Sequence, residues 1–136
     1  MYICLKYCLN KRVKYWIDLA DYDLATAEAM LQSGRYLYVG FMCHQTVEKL
    51  FKAYYCLKKD EIPPYSHNLN HLAGKSGILE LIPDNFGEFI NILEPLNIEA
   101  RYPTQKELLL KSLTRSKCDE IFSETKQLHQ WVKKIL

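Results

Sequence analysis

The sequence predicts an all-α protein, an antiparallel up-and-down helical bundle of four long helices plus one short helix. Three observations lead there. Tyr36 to Lys59 contains no proline and repeats its apolar residues at three- and four-residue steps. The same period recurs from Val13 to Leu31 and again towards the C-terminus. No stretch alternates apolar and polar residues as a half-buried strand does, and no repeat or low-complexity linker interrupts the chain.

Taken in order, residues 1–12 read as an N-terminal arm and residues 13–136 as the bundle domain. Val13, Trp16, Ile17, Ala20, Leu24, Ala27 and Leu31 share one face of an amphipathic first helix, with Asp18, Asp21, Asp23 and Glu28 largely opposite. Asn10 is a candidate N-cap, and Gly34 is the stop, since glycine takes the left-handed conformation at little cost. The turn that follows is so short that the next helix must return antiparallel. That second helix carries Leu37, Gly40, Phe41, His44, Val47, Glu48, Phe51 and Tyr55 on one face, widened by Leu50 and Tyr54. So broad an apolar surface needs neighbours on more than one side, which places this helix at the centre. Pro63 and Pro64 follow its end. Ser66 offers an N-cap for a short helix closed by Gly74. Asp84 or Asn85 opens a helix with Phe86, Phe89, Ile90 and Leu93, and Pro95 marks a kink or restart. Thr104 and Glu107 have capping-box spacing. The helix they open is expected to continue to Ile135, burying Leu110, Leu113, Cys118, Ile121, Phe122, Thr125, Leu128, Val132 and Ile135.

The chain has 136 residues, 49% of them hydrophobic and 25% charged, which fits one ordinary globular domain. Its formal charge is +2, so bulk electrostatics neither demands nor forbids a nucleic-acid partner. Five cysteines, an odd count without zinc-ligand or Cys-x-x-Cys spacing, read as reduced thiols in a cytoplasmic protein. The apolar start is too short for a membrane span and lacks the order of a secretory signal, so no membrane partner is expected.

Four polar residues stand out as candidates for nucleotide or phosphate binding: Arg101, His44, Lys52 and His67. His44, Glu48 and Lys52 rise one turn at a time on the central helix. They read either as a polar cluster that meets a phosphate, nucleotide or partner, or as a hydrogen-bonded core histidine beside an intrahelical ion pair. His67 and His71 have a spacing that suits two metal ligands on one helical face, but Asn68 stands where a zincin has glutamate. No metal and no cofactor is expected. Arg101 lies at the mouth of the last helix, where guanidinium geometry and the helix dipole both suit a phosphate. The alternative is pairing with Glu99 or a carboxylate across the bundle. No Gly-rich phosphate loop, nucleophile elbow or acidic metal cluster is present.

The run His44-Gln45-Thr46-Val47-Glu48-Lys49-Leu50-Phe51-Lys52-Ala53, then Pro63-Pro64, Ser66-His67-Asn68-Leu69 and Glu99-Ala100-Arg101-Tyr102-Pro103, resembles the HEPN domain. The resemblance covers Trp16 to Val132. It implies a small helical domain that binds nucleotide or RNA and partners a minimal nucleotidyltransferase, as in toxin–antitoxin pairs where the HEPN chain is typically the toxin. It also implies His67 as a loop-positioning residue and a homodimer. The apolar helical surface agrees with a dimer, with Trp131, Phe122, Tyr36, Tyr38, Tyr54 and Tyr55 free to form an interface. Many HEPN proteins cleave RNA without metal through an arginine followed four to six residues later by histidine. After Arg101 those positions hold Gln105, Lys106 and Glu107, and after Arg115 they hold Asp119, Glu120 and Ile121. Without an imidazole to activate a ribose hydroxyl, no catalytic residue is assigned. The expectation is a binding and assembly module. The alternatives are a ribonuclease with a rearranged site and a purely structural helical adaptor.

Overall fold

A helix whose apolar residues cover most of its circumference can be stable only if other helices surround it, and Tyr36–Lys59 does occupy that position. The computed structural model describes residues 2–98 and 101–136, with side chains from residue 11 onward. Among the described residues there are six α-helices: α1 Tyr2–Gln32, α2 Tyr36–Lys59, α3 Leu69–Ser76, α4 Asp84–Leu93, α5 Pro103–Ser112 and α6 Arg115–Ile135. Short 3₁₀ turns lie at Ile78–Glu80 and Glu94–Leu96, and no strand occurs among the described residues. All-α is therefore right, whereas four long helices plus one short is not the observed count.

α1 and α2 pack along one another as a hairpin, and α6, α3, α4 and α5 also contact α2. Val39, Cys43, Val47, Leu50, Phe51 and Tyr54 of α2 are buried in the main core. Leu69, Leu72, Ile78, Phe89, Ile90, Leu93, Leu128 and Val132 meet them there. Burial on α2 reaches beyond the residues expected for its broad apolar surface, since Thr46, Lys52, Ala53 and Cys56 are inside as well. Tyr54 is only 3% exposed, so it belongs to the core and is not free for an interface. Trp131 is half-buried against Phe86, with ring centroids 6.0 Å apart. Tyr38 remains exposed.

The α1–α2 turn is a Schellman arrangement. Arg35 N–H donates to Met30 O at 2.8 Å and Gly34 N–H to Leu31 O, with Gly34 at φ +75°. Gly40 acts differently: a Cβ there would lie 3.2 Å from Leu96 Cδ1, so the missing side chain lets the Glu94–Leu96 turn rest on α2. Asp23 is buried and does not lie on the solvent side expected for it. Its carboxylate accepts from Lys49 Nζ at 2.8 Å across the α1–α2 seam.

Several boundaries differ from the sequence expectation. α1 extends back to Tyr2, so Asn10 does not open it. Ser66 is not the cap of α3. The Ser66 hydroxyl accepts from Asn68 N–H, and Asn68 Oδ1 caps the helix by accepting from His71 N–H at 2.8 Å. Gly74 lies inside α3, whose C-cap is Gly77 at φ +85°. The expected long last helix is two helices. Tyr102 rather than Thr104 is the N-cap of α5, with its N–H donating to Gln105 Oε1. The chain breaks after Ser112, and Thr114 caps α6 by accepting from Lys117 N–H at 3.2 Å. The break turns Leu110 outward, 51% exposed, while Leu113, Cys118, Ile121, Thr125, Leu128 and Val132 are buried as expected. Glu99 and Ala100 lie outside the described residues.

Candidate functional site

The polar face of α2 begins with a carboxylate inside the protein. Glu48 is 2% exposed, and burying an ionised carboxylate is tolerated only when cations and hydrogen-bond donors surround it. Two side chains supply them. Lys52, one turn on, donates from Nζ to Glu48 Oε2 at 3.2 Å, and His67, from the loop before α3, donates from Nδ1 to Glu48 Oε1 at 2.9 Å. A carboxylate only accepts, so this contact sets the His67 tautomer. The stem and ammonium of Lys52 are also covered by α1, where Nζ sits 5.2 Å from the centre of the Trp16 ring.

His44 completes the row from below. Its Nδ1 is 4.0 Å from Glu48 Oε1, beyond a hydrogen bond, and Gln45 Nε2 donates to Nδ1 at 3.4 Å. Nε2 is buried and makes no hydrogen bond among the described residues. Burial pushes the pKa of His44 down from 6.5 to about 4, outweighing the nearby Glu48 carboxylate that pulls the other way. His44 is thus a neutral histidine at physiological pH.

The structure therefore brings His44, Lys52 and His67 together around Glu48. Arg101 is not in contact with them. Its Nε donates to Pro95 O at 3.1 Å, and its side chain lines an open groove of about 330 Å³ with Gln105, Leu108, Leu109 and Ser112. No carboxylate pairs with it among the described residues; Glu99, the partner considered for it, lies outside them. The two regions are joined indirectly. Glu94, beside Pro95, accepts from Asn70 N–H at 2.9 Å, which ties the Arg101 turn to the start of α3 and so to His67. Gln105, the first of the positions where the nuclease motif needs histidine, faces the Arg101 groove while holding the Tyr102 N–H.

His67 precedes α3, so it and His71 do not share a helical face. Among the described residues, no group of three or more His, Cys, Asp or Glu is arranged to hold a metal ion. Cys43, Cys56 and Cys118 are buried free thiols, and burial pushes Cys43 up to about 12 and Cys118 to about 11. Such thiols are inert at neutral pH. No described helix is long and apolar enough to cross a membrane.

Sequence reasoning missed contacts between distant parts of the chain. His129 Nε2 lies 2.6 Å from Asp21 Oδ1, and Lys133 donates to the same carboxylate, clasping α1 to α6. Trp16 covers Lys52 in the same way, from another helix. None of these pairings has a local signature, because each partner reads as an ordinary member of its own helix.

Comparison with known proteins agrees with this architecture. The structure is similar to the crystal structure of TT1696 from Thermus thermophilus, with a TM-score of 0.75 over 92% of this chain and 98% of that one. The two sequences are 21% identical, so the likeness is one of fold. No curated protein matches the sequence. The HEPN domain family model matches residues 13–135, a span that includes the α2 run, the Pro63-Pro64 loop and the Arg101 turn. With nearly its whole length matched, the chain belongs to the HEPN domain family.

Proposed function

We propose that this chain is a nucleotide- and RNA-binding and assembly module that works beside a small nucleotidyltransferase in a toxin–antitoxin type system, without nuclease chemistry of its own. The observation that carries the reading is the Arg101 groove. The Pro95 carbonyl fixes the guanidinium through Nε, leaving its terminal N–H groups free of any carboxylate among the described residues. A fixed, unpaired guanidinium in an open groove is suited to a phosphate, which it can meet with two parallel hydrogen bonds. Lys52 and His67 offer N–H donors from the Glu48 cluster, with His44 behind them. The nuclease alternative finds less support. Gln105 stands where an imidazole would be needed, and it has no titratable group to take a proton at neutral pH.

Arg101→Ala is expected to weaken binding of a labelled nucleotide or short RNA by about tenfold or more, because charge-assisted hydrogen bonds to phosphate are the strong kind. Fluorescence anisotropy measures this directly. Equal affinities for the two proteins would remove the phosphate site. Arg101-dependent cleavage of RNA in EDTA would replace the binding module with the ribonuclease.

The same reading includes a homodimer, cytoplasmic location and an N-terminal arm at residues 1–12 appended to the bundle. Leu108 and Leu110 on α5 and Tyr38 on α2 are exposed, and they supply apolar surface for a second copy. Light scattering is expected to give twice the chain mass, and a monomer at working concentration would exclude the dimer.

A further inference from the structure

We infer that a second pocket, where α1 meets the loop after α2, takes a single unstacked nucleobase. The inference rests on the nucleotide-binding reading and deepens it by saying where the base is held. The pocket has a volume of about 200 Å³, below the roughly 300–1,000 Å³ of sites for drug-sized molecules and on the scale of one planar ring. Tyr15 and Trp16 of α1, Pro63, Pro64 and Tyr65 of the loop, and Lys52 of α2 line it.

Each part of this lining suits a heteroaromatic ring. The two prolines are stiff, so that wall is preformed and loses little entropy when a ligand arrives. Tyr15 is 59% exposed and Tyr65 fully exposed, so two large rings of the lining face water. Exposed aromatic side chains are the usual platform for unstacked bases, because every base has a π-face. Trp16 is held by the packing of Val13, Ala53 and Cys56 beneath it and by its T-shaped contact with Tyr15. Lys52 then supplies recognition. It is 7% exposed, and its ammonium has three N–H groups, with one hydrogen bond, to Glu48. Beyond Glu48 and the Trp16 face, a donor remains for a ring nitrogen or carbonyl oxygen. Glu48 also balances the lysine charge, which favours a neutral base here and leaves the phosphate to Arg101.

Tryptophan emission tests this without involving phosphate. Trp131 is the other tryptophan and lies outside the pocket, so Trp131→Phe makes Trp16 the sole reporter. Adenosine is expected to quench that emission saturably. Adding Tyr65→Ala should weaken the titration about tenfold, a change that leaves the fold intact because the side chain is fully exposed. Absence of quenching, or an unchanged curve for the Tyr65→Ala protein, would overturn the inference. If a nucleotide still binds in an Arg101-dependent way while adenosine does not, the base pocket fails and the phosphate site stands. If neither binds, both fall. Saturation by an aromatic peptide in place of adenosine would assign the pocket to a partner protein and also overturn the base.

Discussion

Glu48→Ala is expected to destabilise the protein by about 3 kcal/mol, read as a fall in the urea midpoint. The reason is what it strands rather than what it removes. Lys52 is 7% exposed and its ammonium finds one anionic partner, so deleting the carboxylate leaves a buried cation with only the Trp16 ring beside it. His67 loses its anchor at the same time, and with it one of the ties between the loop after α2 and α2 itself. A double-mutant cycle separates these effects. Lys52→Met in the Glu48→Ala background is expected to recover a large part of the loss, because it removes the stranded charge and retains the stem that packs on Trp16. A loss below about 1 kcal/mol for Glu48→Ala alone would mean that the pair is solvated and contributes as an exposed salt bridge does.

The second large effect is a dependence on pH. His44 is held neutral with a pKa of about 4, against 6.5 for an ordinary histidine, and burial is the cause. As pH falls, the unfolded chain takes up this proton first. Between pH 6.5 and 4 the unfolded state therefore binds more protons than the folded state, and stability rises with pH. The contribution is complete above pH 6.5 and is lost on descending towards pH 4. From the size of the shift it amounts to about 3 kcal/mol. His44→Leu, which cannot titrate, is expected to be flatter than the wild type by that amount when urea midpoints at neutral pH and near pH 4 are compared. Other groups titrate in both proteins, so the difference between the two curves is the relevant quantity. Parallel curves would show that His44 charges freely in the folded state.

Much of the candidate site is legible in the sequence, but as a set of residues rather than as a site. The steps from His44 to Glu48 to Lys52 follow from helical geometry alone, and they lie together as the spacing requires. His67 follows from the resemblance to the family, and the structure gives it a specific partner in Glu48. Arg101 is equally visible, yet its separation from the other three is not. Its position depends on the Pro95 carbonyl and on how the Glu94–Leu96 turn rests against Gly40, which are contacts between elements. Trp16 reads as a core residue of α1, and its role over Lys52 emerges only when the two helices are side by side.

The fold divides in the same way. Periodicity determined which segments are helical, which faces turn inward and which helix is central, because burying apolar surface is a demand each helix makes on its own sequence. The exact capping residues and the division of the last helix at Leu113–Thr114 were decided by tertiary structure. Leu113 must reach the core beside Gly40 while α5 lies across the surface, and one straight helix cannot do both. Asp21 and Asp23 show the same principle in polar form. Local pattern assigns both to solvent, but the arrival of His129, Lys133 and Lys49 from other helices supplies the partners that hold them in the α1–α6 and α1–α2 seams. A residue's own helix dictates its direction, and the partner that meets it there is set by the packing of the whole chain.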